Sequence, residues 1–132
     1  MGIAVFWDNR EQTVLCQSIV GTWTWEDYDR SIYQAYTTIR SVNYTVHLIG
    51  DIRYSAPQSL TPAWPSLGRA LRHLPDNIGL AITVGTGYFT ASFYHQLAQS
   101  FPAAAKRIRH VMTMDAAHAL IDNFEGFSER AV

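Results

Sequence analysis

Short apolar runs separated by turn residues dominate the chain, and their period switches between that of a strand and that of a helix. Ile3 to Trp7 is a short apolar run. Asp8-Asn9-Arg10-Glu11 reads as a turn, because Asp and Asn side chains bond the nearby backbone. Gln12 to Val20, rich in Thr, Val and Ile, completes a predicted β-hairpin that Gly21 ends. Thr24 is placed to cap a first helix, with Glu26 and Asp27 in the opening turn, where the helix dipole favours acids. Trp25, Tyr28, Ile32, Tyr36 and Ile39 then recur at helical spacing and predict one apolar stripe as far as Val42.

Thr45 to Ile52 is nearly continuous apolar sequence, which is how a strand covered on both faces reads. Tyr54 to Pro65 carries three prolines and scattered Ser and Thr, and predicts a loop. Leu67, Leu71 and Leu74 predict a second helix that stops before Pro75. Gly79 to Val84 is the next buried strand, and Gly85-Thr86-Gly87 a tight turn. The spacing of Phe89, Phe93, Leu97 and Phe101 predicts a third helix over Tyr88 to Ser100. Ile108 to Met112 is a strand, and Asp115 is placed to cap a last helix through Ile121. The order β-β-α-β-α-β-α-β-α predicts a single-domain α/β sandwich over residues 1–122, with a weakly ordered tail at 123–132. Its sheet should be mixed and mostly parallel, with right-handed crossovers.

Composition narrows the function classes. The chain has 132 residues, 48% of them hydrophobic, and a formal net charge of -1. That length can bury a core without disulfides or a metal, and that charge gives no global attraction to nucleic acid or to an anionic membrane. No apolar run is long enough to span a bilayer, and no signal peptide is recognisable at the start. A cytoplasmic protein is the expectation. Cys16 is the single cysteine, so no internal disulfide forms, and it reads as a buried structural residue. Seventeen aromatics exceed what a small core needs and leave an open edge at the hairpin as a candidate homodimer contact, with Trp7 or Trp23 in it.

Three phrases carry a resemblance: Gly21-Thr22-Trp23-Thr24-Trp25-Glu26-Asp27, the strand ending Leu48-Ile49-Gly50-Asp51, and Val111 to Ala119. With the element order, they resemble the STAS-like group, which includes bacterial, SpoIIAA-like anti-sigma factor antagonists and small proteins related to them. The resemblance implies a regulatory module that acts by protein–protein interaction. In the antagonists an acidic-Ser-Ser-Gly phosphoacceptor turn follows this strand. Here Asp51-Ile52-Arg53-Tyr54-Ser55-Ala56-Pro57 stands in its place, so the implied module works without phosphorylation.

In an open α/β sheet, ligands collect beyond the carboxyl ends of the parallel strands. That rule selects Asp51, Arg53, Tyr54, Ser55, Trp64, Thr86 and Tyr88 as candidate partner- or ligand-binding residues. Asp51 and Arg53 have a plainer use, which is to pair or to cap helices, and Tyr88 a plainer one in packing. Gly85-Thr86-Gly87 invites a phosphate-loop reading, but Thr90 stands where a third glycine is required, and no Gly-Lys-Ser/Thr occurs. None of the five histidines is spaced i, i+4 from another for metal, and His47 reads as a hydrogen-bonded histidine of a strand. Lys106 to His110 is the one basic cluster and suits a sheet edge. No complete set of nucleophile, base and orienter is visible, so neither catalysis nor a cofactor is expected. The expected partner is another protein, or alternatively a small ligand in the strand-end crevice.

Overall fold

The computed structural model describes residues 2–57, 63–85 and 91–126. Strands β1 (Ile3–Trp7) and β2 (Val14–Trp23) form the predicted antiparallel hairpin, with Ile3 opposite Ile19 and Trp7 opposite Leu15. Asn9 builds the turn: its Oδ1 accepts from the N–H groups of Thr13 and Val14 at 3.0 and 3.1 Å. The remaining strands are β3 (Val46–Pro57), β4 (Ile78–Val84) and β5 (Ile108–Val111), each parallel to the strand before it in a sheet of order β1-β2-β3-β4-β5. The protein is thus an α/β sandwich on a five-stranded, mixed and mostly parallel sheet.

Helix α1 (Trp25–Arg40) begins in a capping box. Thr24 Oγ1 accepts from the Asp27 N–H, and Asp27 Oδ2 accepts from the Thr24 N–H, both at 3.1 Å. The hydrogen bond from the Thr24 backbone holds the Asp27 carboxyl below its ordinary range. Helices α2 (Ala63–Arg72) and α3 (Ala91–Ser100) follow β3 and β4, and a short α4 (Pro102–Ala105) precedes β5. Because β2 to β5 lie side by side in chain order, right-handed connections put their helices on one face. There Ile32, Ala35, Tyr36 and Ile39 of α1 pack with Leu15, Val46 and Leu48, while Leu67 of α2 and Phe93 of α3 meet Ile19 and Ile52. The Tyr36 hydroxyl donates to the Ala70 carbonyl at 3.0 Å and ties α1 to α2.

Helix α5 (Met114–Asp122) closes the opposite face, over Val14, Ile49, Ile82 and Val84. Its N-cap is Thr113, whose Oγ1 accepts from the Ala116 N–H; Asp115, the predicted cap, sits in the first turn. Phe124 lies past the predicted domain boundary and still packs on the core, its ring 4.8 Å from that of His47. His47 is buried, and its Nδ1 accepts from the Leu80 N–H at 2.9 Å.

The strand ends differ from expectation. β2 runs through Gly21 to Trp23, and β3 runs through the predicted loop to Pro57, because the two extensions pair with each other. Trp23, a predicted dimer contact, is 2% exposed and stacks edge-on with Trp25 at 4.8 Å, so it belongs to the interior. Trp7 is half-buried against the α1 side.

Candidate functional site

One irregularity in β3 shapes the strand-end region. Ser18 pairs with Asp51 and Val20 with Tyr54, so β3 spends three residues where β2 spends two. The extra residue is a bulge, and it re-aims the side chains beyond it. Without it, alternation would send Asp51 and Tyr54 to opposite faces. With it, both share the face of Ser18 and Val20, which is the α5 face.

On that face Asp51 and Arg53 form a closed pair. Arg53 donates to the Asp51 carboxylate from its Nε and Nη2, both at 2.9 Å, and from its backbone N–H at 3.1 Å. The fork geometry is the strong form of this contact, and the Arg53 side-chain bonds hold the Asp51 carboxyl below the usual carboxylate range. The guanidinium also lies 4.9 Å over the Tyr54 ring, a cation–π arrangement. Arg53 is therefore committed and does not stand ready for a phosphate on Ser55. The Ser55 hydroxyl itself donates to the Ile52 carbonyl at 3.2 Å.

Helix α5 covers only part of its face. Phe6 pairs with Cys16 across the hairpin and so points to the same side as Ser18 and Val20. Phe6 is 46% exposed, Val20 53% and Tyr54 63%. These three stand on one face of adjacent strands β1, β2 and β3: Val20 pairs with Tyr54, and Phe6 lies level with Cys16, four residues back along β2. Cys16 is buried, and burial pushes its thiol up to about 12, so it is inert as a nucleophile.

The other face holds a cavity of about 100 Å³ between the sheet and helices α1, α2 and α3. Its lining includes Gln17, Gly50, Ile52, Tyr28, Leu71 and Phe93, and it contains neither Tyr54 nor Trp64. Trp64 lies one layer out, its ring 5.2 Å from that of Phe93. Of the residues selected from the sequence, the structure therefore joins Asp51, Arg53 and Tyr54, sets Ser55 beside them in β3, and puts Trp64 on the helical side. Thr86 and Tyr88 lie outside the described residues.

Two features escaped the sequence reading. Gln17 looked like one more residue of a β strand, and it is the polar floor of the cavity. His118 of α5 hydrogen-bonds Asp8 through Nε2 at 2.8 Å, and this pins α5 to the hairpin turn. The Asp8 carboxylate also acts on the nearby Cys16 thiol, adding to the upward push of burial. The described residues contain no cluster able to hold a metal ion, and no described helix is long and apolar enough to cross a membrane. No known family model matches the chain, and no curated protein sequence is significantly similar to it.

Proposed function

We propose that this chain is a non-enzymatic regulatory module that docks a protein partner on the open β1–β2–β3 face. The observation that carries the reading is the exposed triplet of Phe6, Val20 and Tyr54 on one sheet face. Exposed large apolar side chains gathered on one face suit an interaction site. Its chemistry suits one: Tyr and Arg are enriched at interface hot spots, and a rigid strand presents them at little entropic cost. The Asp51–Arg53 pair sits at the rim, neutral as a unit, and orients the Tyr54 ring. The STAS-like resemblance agrees with this reading, since it implies protein–protein regulation from the same β3 end.

The test is a double substitution, Phe6→Ser with Tyr54→Ser. Both side chains are exposed, so the thermal midpoint should barely move. A partner recovered in near-stoichiometric amount with the tagged wild type, and lost with the double variant, supports the proposal. Equal recovery of that partner with both proteins overturns it.

A further inference from the structure

The cavity on the helical face is independent of the docking surface, and one side chain of its lining keeps an open acceptor. Gln17 is 4% exposed. Its Nε2 donates to Ser31 Oγ at 2.7 Å, and the Ser31 hydroxyl in turn donates to the Tyr28 carbonyl at 2.8 Å. This chain fixes the amide's orientation: Ser31 has spent its only hydrogen, so it can only accept from Gln17, and Gln17 must present its NH2 group there. Oε1 is left at the other end. It lies over Gly50, 3.2 Å from where a Cβ on that residue would stand, and Gly50 also lines the cavity. Among the described residues no donor reaches Oε1. Oε1 is thus an acceptor open to a mainly apolar space, able to receive one donor from whatever enters it.

The remaining lining limits what would fit. Among the described residues no charged side chain faces the cavity, and most of the wall is Ile, Leu, Ala and aromatic carbon. The Tyr36 hydroxyl is already engaged with Ala70. A dry apolar cavity of roughly 150 Å³ accepts benzene, so a space of about 100 Å³ takes a smaller molecule, such as a short branched chain. We infer that the cavity binds a small, neutral, mainly apolar molecule carrying one hydroxyl or N–H donor, which the Gln17 side-chain carbonyl receives. Ser31 is a positioning residue, because it keeps that carbonyl turned inward.

2-Propanol and isobutane are suitable probes, being alike in size and differing in the donor. Binding is followed by NMR titration of the amides of Gln17, Gly50 and Tyr28, in wild type and in Gln17→Met. Both probes should perturb these amides. The 2-propanol-to-isobutane affinity ratio should fall by about tenfold in Gln17→Met, the worth of one buried hydrogen bond. An unchanged ratio overturns the role of Gln17 and leaves cavity binding standing. Failure of both probes to perturb those amides overturns the site itself. If Gln17→Met does not fold, the wild type decides: the Gln17 side-chain carbonyl ¹³C shift should move with 2-propanol and not with isobutane, and equal response to both overturns the inference. None of these outcomes touches the open sheet face, which stands or falls by its own test.

Discussion

Adding one methyl group at Gly79 should destabilise this protein, although glycine inside a strand is normally a weakness. At an unhindered strand position Gly→Ala gains roughly 0.5–1 kcal/mol, because Ala has less backbone freedom to lose. At Gly79 a Cβ would stand 2.4 Å from both Cε1 and Nδ1 of His47, and 3.0 Å from Thr45 Cγ2. The imidazole cannot simply swing away. Its Nδ1 accepts from the Leu80 N–H at 2.9 Å, and the Phe124 ring lies edge-on against it at 4.8 Å. Overpacking of this sort costs roughly 1–3 kcal/mol. If the ring moves, the buried Leu80 N–H loses its acceptor at a cost of a similar size. The two costs add to about 2–6 kcal/mol, so Gly79→Ala should lose at least about 1 kcal/mol after the small backbone gain. Urea unfolding followed by tryptophan fluorescence measures it, with an unchanged m-value as the sign that the unfolded state is unaffected. A cycle with His47→Ala isolates the cause, because removing the ring removes the clash. In that background Gly79→Ala should be neutral or stabilising. A single variant within about 0.5 kcal/mol of wild type, or an equal loss in both backgrounds, would refute the reasoning.

Three further outcomes follow from the core. Burial lowers the pKa of His47 below its ordinary 6.5, so the unfolded state takes up the proton first. The associated stability is complete above pH 6.5 and declines as pH falls below it toward the folded value; His47→Gln should flatten the thermal midpoint over that window, and an identical slope in both proteins would contradict this. Cys16 should resist a thiol reagent such as dithionitrobenzoate at about pH 8 and react on addition of denaturant, whereas immediate reaction of the native protein would show that β2 opens locally. Ile82→Ala in central β4 should cost roughly 2–5 kcal/mol by urea unfolding, and a loss below about 1 kcal/mol would mean the site collapses without strain.

The sequence carried the element order because each element has its own local signal. Thr24 with Glu26 and Asp27 announces α1, and the apolar run through Val46 and Ile49 announces a strand covered on both sides. What the sequence did not carry depends on pairing between distant segments. Gly21, at φ +75°, looks like a strand end, yet β2 continues because Thr22 and Trp23 pair with Ala56 and Pro57 of β3. The prolines and hydroxyl residues after Tyr54 suggested a loop for the same reason. The bulge between Asp51 and Tyr54 has no residue signature, so the grouping of Arg53 and Tyr54 on the face of Val20 and Phe6 was not visible. Asp51 and Arg53 were legible as a pair because they stand two positions apart on one strand. Gln17 was hidden by its neighbours: in Val14 to Ile19 both faces are apolar enough that alternation does not say which residues point to the helices. The signal that could have found it is a lone amide in that run facing a glycine in the next strand, and reading it requires the β2–β3 register.

The central claim is that the open sheet face, rather than the helical layer, meets a protein partner. A photo-crosslinking amino acid installed at Tyr54 tests this in the cells that make the protein, with the same group at Tyr33 as the control. Tyr33, on α1, is 76% exposed and therefore more accessible than Tyr54, but it lies on the opposite side of the sheet. The account predicts a discrete protein adduct from position 54, absent from position 33 and lost when Phe6→Ser is added. Equal adducts from both positions, or none from position 54, would contradict it.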